Sequence, residues 1–398
     1  MAAAFYRAGI MSVRSILKKS VLAILFVPFT VLIGLAAAIS RLLPKKFDVG
    51  IGPEPLINNI NHRLAMIESG WSTETYVTHT YFITNDFDYS TAQSRFPLVL
   101  CSYWAFLRAL FRYRILYFYF NGGPLAWTPH RFLEGPLYRL AGIKTVVMPY
   151  GGDVHDLLHG NNLLFKHAMA MDYPQFQKSS RDKVSRQVKY WSRWADHIVS
   201  GCDWVDFMWH WDTLVSAHFS VDTRSIKVHA PEPRQTIKIL HAPNHRNIKG
   251  TPFVIQAADR LISEGYPVEL VLAERRSNNE ILALIHDADI VVDQLVIGWY
   301  GMFGVEAMAH GRPVICYLRE DLCSLFKFAG VMDPEDPPVL NTNYGSIYEQ
   351  LKLLVESKDI RLTLGARGRQ YIEKWHSTEA LGKIFDRINA KLSNSREN

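Results

Sequence analysis

Cysteine is scarce in this chain. Four stand among 398 residues (Cys101, Cys202, Cys316 and Cys323). They have neither zinc-site spacing nor the density of a secreted disulfide scaffold, and they read as buried thiols of a reducing compartment. No Asn-x-Ser/Thr acceptor is present, so nothing points to lumenal exposure. Charge blocks are missing as well. The 44 Lys and Arg against 38 Asp and Glu leave a net charge of +6, but the cations are scattered and no nucleic-acid reader motif stands out. This argues against nucleic acid and fits contact with phosphates or anionic lipid headgroups. No low-complexity tract and no repeat of solenoid period occurs. At this length, 48% hydrophobic content supports two or three domains, each with a core of its own.

Charge is absent altogether from Val21 to Ile39, nineteen residues long. As a helix this stretch would span about 28 Å, close to a hydrocarbon thickness of about 30 Å. Arg7, Arg14, Lys18 and Lys19 precede it; Arg41, Lys45 and Lys46 follow, so the positive-inside rule gives no orientation. Pro28 and Gly34 weaken a straight span. Ala36-Ala37-Ala38 keeps a cleaved signal peptide open, although its basic leader is long for one. The preferred reading is a spanning or half-inserted membrane anchor over residues 1–46. With reduced cysteines and no glycosylation site, the remaining domains are expected on the cytoplasmic face. A second lipid-facing element is conceivable in Tyr103–Phe120, where Arg108, Arg112 and Arg114 interleave with aromatics; a buried helix and strand fit equally well.

Beyond the anchor, short β-branched runs alternate with amphipathic stretches. Strands are expected at Phe47–Ile51, Tyr76–Ile83, Leu98–Cys101, Ile115–Phe120, Thr145–Pro149 and His197–Ser200. A double-proline turn, Ala230-Pro-Glu-Pro233, marks a linker. A second series follows at Ile237–His241, Val268–Ala273, Asp289–Asp293 and Pro313–Tyr317. Helices are expected at Tyr348–Val355, Ile360–Trp375 and Thr378–Leu392. Strand–helix alternation implies parallel sheets covered on both faces. The fold class is therefore α/β, with a Rossmann-like domain at 47–232, a second at 233–377 and a last helix at 378–398.

The most informative segment is Gly301-Met-Phe-Gly-Val-Glu306-Ala-Met-Ala-His-Gly-Arg-Pro313-Val-Ile. A helix starting among glycines turns its free N–H groups and positive dipole end toward an anion. Glu306, expected in the first turn, can accept hydrogen bonds from ribose or sugar hydroxyls. A second site is His241-Ala-Pro-Asn-His-Arg246-Asn-Ile-Lys249-Gly250, where Gly250 opens a helix with Arg246 and Lys249 beside it as a diphosphate cradle. A third is Pro149-Tyr-Gly-Gly-Asp153 at a strand end, where Asp153 could bind a hydroxyl or cap a helix. Gly52, in Gly50-Ile-Gly-Pro-Glu54, closes a tight strand–helix turn. Asp86-Phe-Asp88 and Asp287-Ala-Asp289 spell Asp-x-Asp, a metal-binding signature elsewhere; a capping role is expected for Asp289. Trp209-His210-Trp211-Asp212 reads as an aromatic helix face.

The Gly301–Ile315 segment resembles the donor-sugar motif of the retaining GT-B glycosyltransferases (glycosyl transferases group 1, family-4-like), which carry a Glu-x7-Glu signature. Glu306 falls on the second Glu, while Gly298 stands where the first would be. Lys249-Gly250 resembles the family's phosphate-binding lysine and glycine; Arg246 has no matching position. Gly151 and Asp153 match a His-Gly-x-Asp pattern in which Tyr150 replaces the His. The resemblance implies two Rossmann-like domains facing a cleft, with the last helix crossing back to the first domain. It implies a nucleotide-sugar donor bound by Lys249, Gly250, Gly301 and Glu306, with Gly52 approaching its diphosphate. It also implies that Asp153 orients the acceptor or the transferred sugar, that no metal is needed, and that anomeric configuration is retained. The acceptor expected beside a membrane anchor is a lipid-linked saccharide of polysaccharide or glycan biosynthesis. Gly298 keeps open a non-catalytic subunit of the same fold that binds a glycan or partner; a nucleotide-sugar epimerase is a third reading.

Overall fold

A computed structural model describes residues 26–394 except 82, 157, 178–181, 230–233 and 336. Seven parallel strands form the first sheet: β1 (Phe47–Ile51), β2 (Thr73–Val77), β3 (Tyr89–Ser90), β4 (Tyr113–Tyr119), β5 (Lys144–Met148), β6 (His197–Ser200) and β7 (Thr213–Leu214), in the order β3-β2-β1-β4-β5-β6-β7. Five form the second: β8 (Ile237–His241), β9 (Val268–Leu272), β10 (Ile290–Val292), β11 (Val314–Cys316) and β12 (Leu340–Asn341), in the order β12-β11-β10-β8-β9. Every pairing among these strands is parallel. Each sheet has one point where the strand order reverses, between β1 and β4 and between β8 and β10. The two-residue edge strands β3, β7 and β12 are too short to leave a periodic signal.

Leu98–Cys101 is the first turn of a helix, Leu98–Arg112, rather than a strand. A four-residue apolar run carries no period of its own, and this one continues into a helical face that buries Cys101, Ala105, Phe106 and Ala109. The aromatic stretch divides between that helix and β4. Arg108 and Arg112 turn inward and pair with Glu74 at 2.8 and 3.0 Å, and the Tyr113 hydroxyl donates to the same carboxylate at 2.5 Å. Only Arg114 is exposed. Trp209–Asp212 is a turn before β7, with Trp209 in solvent.

Of the expected anchor, residues 21–25 lie outside the described ones. Residues 26–41 form a helix packed lengthwise on the first domain. Ile33, Ala37 and Ser40 are buried, and Phe26 stacks on His130 with ring centroids 4.3 Å apart. Its outer side leaves Val27, Leu32, Leu35 and Ile39 exposed. Among the described residues no helix is long and apolar enough to cross a membrane.

The last helix, Thr378–Asn394, lies against the first sheet beside the helix Ile57–Glu68. Leu381, Phe385, Ile388 and Leu392 fill the core under Val49, Ile51, Ile115 and Tyr117, each contributing on the order of 1.5–3 kcal/mol by burial. The Tyr117 hydroxyl donates to Asn389 at 2.7 Å. The two chain crossings between domains run side by side: the Val221 N–H donates to the His376 carbonyl at 2.8 Å and the Thr378 N–H to the Val221 carbonyl at 3.1 Å. Residues 230–233 of the proposed linker lie outside the described ones.

Candidate active site

Parallel sheets bind ligands beyond the carboxyl ends of their strands, at the reversal point. The first sheet presents Gly52–Glu54 and Phe120–Asn121 there; the second presents Asn244–Gly250 and Asp293–Gly301. A cavity of about 390 Å³ opens between the domains, lined by Gly151, Gly152, His155 and Asp203 from the first and by Lys249 and Gly301 from the second.

On the second-domain side, Asp293 organises the site. It follows the buried strand β10, and its carboxylate accepts from the Lys249 ammonium at 2.9 Å and from the Gly301 N–H at 2.6 Å. Gly301 is the N-cap of the helix Met302–Ala309, so the chain's own aspartate already occupies the mouth of this helix. The expected anion seat is therefore shared: Lys249 holds Asp293 and also faces the cavity. Gly250, at φ 77°, ends the turn Arg246–Lys249 and opens the helix Thr251–Ser263.

Glu306 lies in the second turn of its helix, not the first. It is buried behind the cavity, where the Asn278 amide donates to it at 2.8 Å. Burial pushes its carboxyl up to about 7; the Asn278 hydrogen bond opposes the shift and the Asp293 charge adds to it. Arg246 is not brought into the cavity. It forms a bidentate surface pair with Glu274, at 2.8 and 2.9 Å.

On the first-domain side, Asp153 sits beneath the cavity floor, fully buried, rather than in the cavity. It accepts the N–H groups of Tyr150, Gly151 and Phe120 at 2.9, 2.9 and 3.0 Å. Its role is to hold the glycine loop in place. Burial drives its carboxyl up to about 7 against those three bonds. Gly52 is likewise packed inward: a Cβ there would lie 1.9 Å from the Tyr76 carbonyl oxygen. The cavity-facing group is His155, whose Nε2 lies 2.9 Å from the Asp203 carboxylate. Its ring is wedged against Phe165 and Phe207, and a side chain so held can offer one nitrogen to a hydroxyl.

Gly298 has a physical explanation. Its φ is 99°, and a Cβ would come within 2.5 Å of the Arg319 side chain. A glutamate there would displace Arg319, which pairs across the cleft with Asp206 at 2.5 and 3.2 Å. Further cross-cleft contacts run from Asn162 to the Val296 carbonyl at 2.8 Å and from Tyr173 to His245 at 2.7 Å. Asp172 accepts from the Ile248 N–H at 2.9 Å.

Asp293, Asn278, the His155–Asp203 pair and Arg319–Asp206 were not singled out from the sequence as site residues. Asp293 carried a usable signal, a carboxylate ending an apolar strand of the second series; the others are joined only by folding. Neither Asp-x-Asp run gathers a metal-type cluster: Asp88 accepts from Thr75 and Asp289 from the Lys238 N–H, and no group of metal-ligating side chains occurs among the described residues.

The arrangement is similar to that of solved structures. Sucrose-phosphate synthase from Thermosynechococcus elongatus superposes with a TM-score of 0.59 at 14% identity, over 88% of this chain and 100% of that one. This is a GT-B fold. An alpha-glucosyltransferase in complex with UDP and a 13-mer DNA gives 0.51 at 10% identity, over 87% and 100%. No family model matches the chain, and no curated protein matches it.

Proposed function

We propose that this chain is a glycosyltransferase that moves a sugar from a nucleoside-diphosphate donor to a saccharide acceptor. The observation that carries this is the interdomain cavity at the reversal point of the second sheet, with Lys249 and the Gly301 helix start on one wall and His155, beyond β5 of the first sheet, on the other. The GT-B fold supports the same reading, since its solved neighbours include glycosyltransferases. Lys249 and backbone N–H groups would meet the charge that develops on the leaving diphosphate, without a divalent metal. Glu306 and Asn278 would hold donor hydroxyls, and His155 would orient the acceptor hydroxyl. The acceptor is proposed to be lipid-linked, the configuration retained, and the enzyme seated on the cytoplasmic face of a membrane in polysaccharide or glycan biosynthesis.

Incubation with a panel of nucleotide sugars and a lipid extract tests this. Transfer of label to the extract is the expected result. Interconversion of the free nucleotide sugar would replace the reading with an epimerase. Silence from a folded protein that still binds a saccharide would favour a non-catalytic subunit; the occupation of the Gly298 site by Arg319 is the observation on that side.

A further inference from the structure

Far from the cleft, at the amino ends of the strands, lies a second cavity of about 760 Å³. Five cations line it, Arg41, Lys45, Arg114, Arg139 and Lys144, against one carboxylate, Asp196. They come from four separate elements and converge only in the fold. The lining thus carries four more cations than carboxylates. Lys144 is 3.4 Å from Asp196, and Arg114 is 3.5 Å from Asp48. Lys45 donates to the carbonyls of Ser40 and Leu110. Arg139 stacks over Trp194 at 4.7 Å.

This cavity is continuous with apolar surface. Arg41 ends the helix 26–41, and Leu42, next in the chain, is 84% exposed. Leu43, also exposed, lines the cavity itself. Up the helix, Ile39, Leu35, Leu32, Val31 and Val27 are each more than half exposed. The same side of the domain carries the helix Leu98–Arg112, joined to the first by Phe29 against Tyr103 at 4.9 Å, and it exposes Leu98, Leu100 and Trp104. A predominantly cationic cavity rimmed by leucines beside an exposed apolar helix matches the layering of a bilayer surface, phosphate outside and hydrocarbon beneath. A soluble partner would have no need of that order.

We infer that Arg41, Arg139 and Lys144 bind the phosphate of an anionic phospholipid while the outer side of helix 26–41 lies in the membrane interface. The inference rests on the proposed membrane seat and specifies where the bilayer meets the protein. It does not require residues 26–41 to span.

The test is co-sedimentation of the full chain with vesicles of phosphatidylcholine alone and with phosphatidylglycerol added. Binding should be tighter to the anionic vesicles and should weaken with salt. The double variant Arg41→Gln, Arg139→Gln should lose about thirtyfold in partitioning to anionic vesicles, since each cation near the surface is worth about 1 kcal/mol and the two together about 2 kcal/mol. It should bind neutral vesicles as before and keep its affinity for nucleoside diphosphate. Leu32→Ser with Leu35→Ser should weaken binding to both kinds. Equal binding of the charge variant and the parent to anionic vesicles would overturn the inference, as would equal protection of the cavity by millimolar inorganic phosphate, which would make it a free-phosphate site. Transfer to a water-soluble acceptor by a protein that ignores vesicles would sink the inference and leave the glycosyltransferase reading intact.

Discussion

Arg319 of the second domain reaches over Gly298 and grips Asp206 of the first, with guanidinium–carboxylate distances of 2.5 and 3.2 Å and both side chains only 8% exposed. The same guanidinium also holds Asp321 at 2.5 Å. The residue that leaves Gly298 no room for a side chain is thus the one that fastens the cleft.

Removing the Asp206 charge leaves Arg319 with Asp321 as a carboxylate partner, so the cost falls below the roughly 3–5 kcal/mol of a fully stranded buried charge, but the bond across the cleft is weakened. Asp206→Asn should therefore loosen the closed arrangement. Small-angle scattering should report a larger radius, and apparent donor affinity should fall more than turnover at saturating donor. An unchanged radius with unchanged affinity would show that the other cross-cleft bonds suffice.

Lys249 has a structural duty as well as a proposed ligand duty, and the two can be separated. Lys249→Met strands Asp293, whose side chain is 0% exposed, so thermal stability should drop sharply. Adding Asp293→Asn removes the stranded charge and should restore much of that stability. Nucleoside diphosphate binding should stay weak in the double variant, while binding of the bare nucleoside changes little. Recovery of diphosphate binding along with stability would remove Lys249 from the donor site.

Glu306, with its carboxyl near 7, should make donor binding pH-dependent. If the ionised form accepts donor hydroxyls, affinity rises as pH increases from 6 to 8 and the group ionises. Glu306→Gln should flatten that profile and lower turnover by about tenfold or more, because a hydrogen bond to a charged group is worth about 1.5–3 kcal/mol. A parent profile already flat over this range would contradict the role.

Four of the buried histidines are held far below the ordinary imidazole range. Burial lowers His62 to about 3 and His218, His241 and His376 to about 4. Their unfolded forms protonate near 6.5, so their contribution is complete above that pH and is lost as pH falls toward 4. Glu134, Asp153 and Glu306 are raised to about 7 and act in the opposite sense, stabilising below about 4.5 and less so as pH rises to 7. The two sets largely cancel between about 4.5 and 6.5. Below that window only the histidines remain, and stability should collapse. Urea titrations should give midpoints nearly level from pH 5 to 6.5 and a steep fall from 4.5 to 3.5. A steep loss already between 6.5 and 5.5 would show that the carboxyls do not offset the histidines.

The alternation of strands and helices was legible wherever a β-branched run stood between turn signals. β1, β6 and β8 coincide with the runs Phe47–Ile51, His197–Ser200 and Ile237–His241. It failed at Leu98–Cys101, where four apolar residues fit either period, and at Tyr76–Ile83, of whose described residues only Tyr76 and Val77 belong to a strand, β2. The site was legible as segments and illegible as contacts. Lys249 and Gly301 could be placed near one another because both follow second-domain strands, but that Asp293 lies between them depends on β8 and β10 being neighbours. Asp153 looked like a ligand because glycines surround it; the same glycines present the N–H groups that occupy it. Arg319 and Asp206 are 113 residues apart, and no local pattern links them.

The sheet of the first domain receives one of its covering helices from Thr378–Asn394, which follows the second domain in sequence. Leu381, Phe385, Ile388 and Leu392 close the face formed by Val49, Ile51, Ile115 and Tyr117. During synthesis that face stays open until residues 378–394 have left the ribosome. The domain made first is thus the one completed last, and a chain stopped anywhere before Thr378 carries an uncovered apolar sheet into a crowded cell.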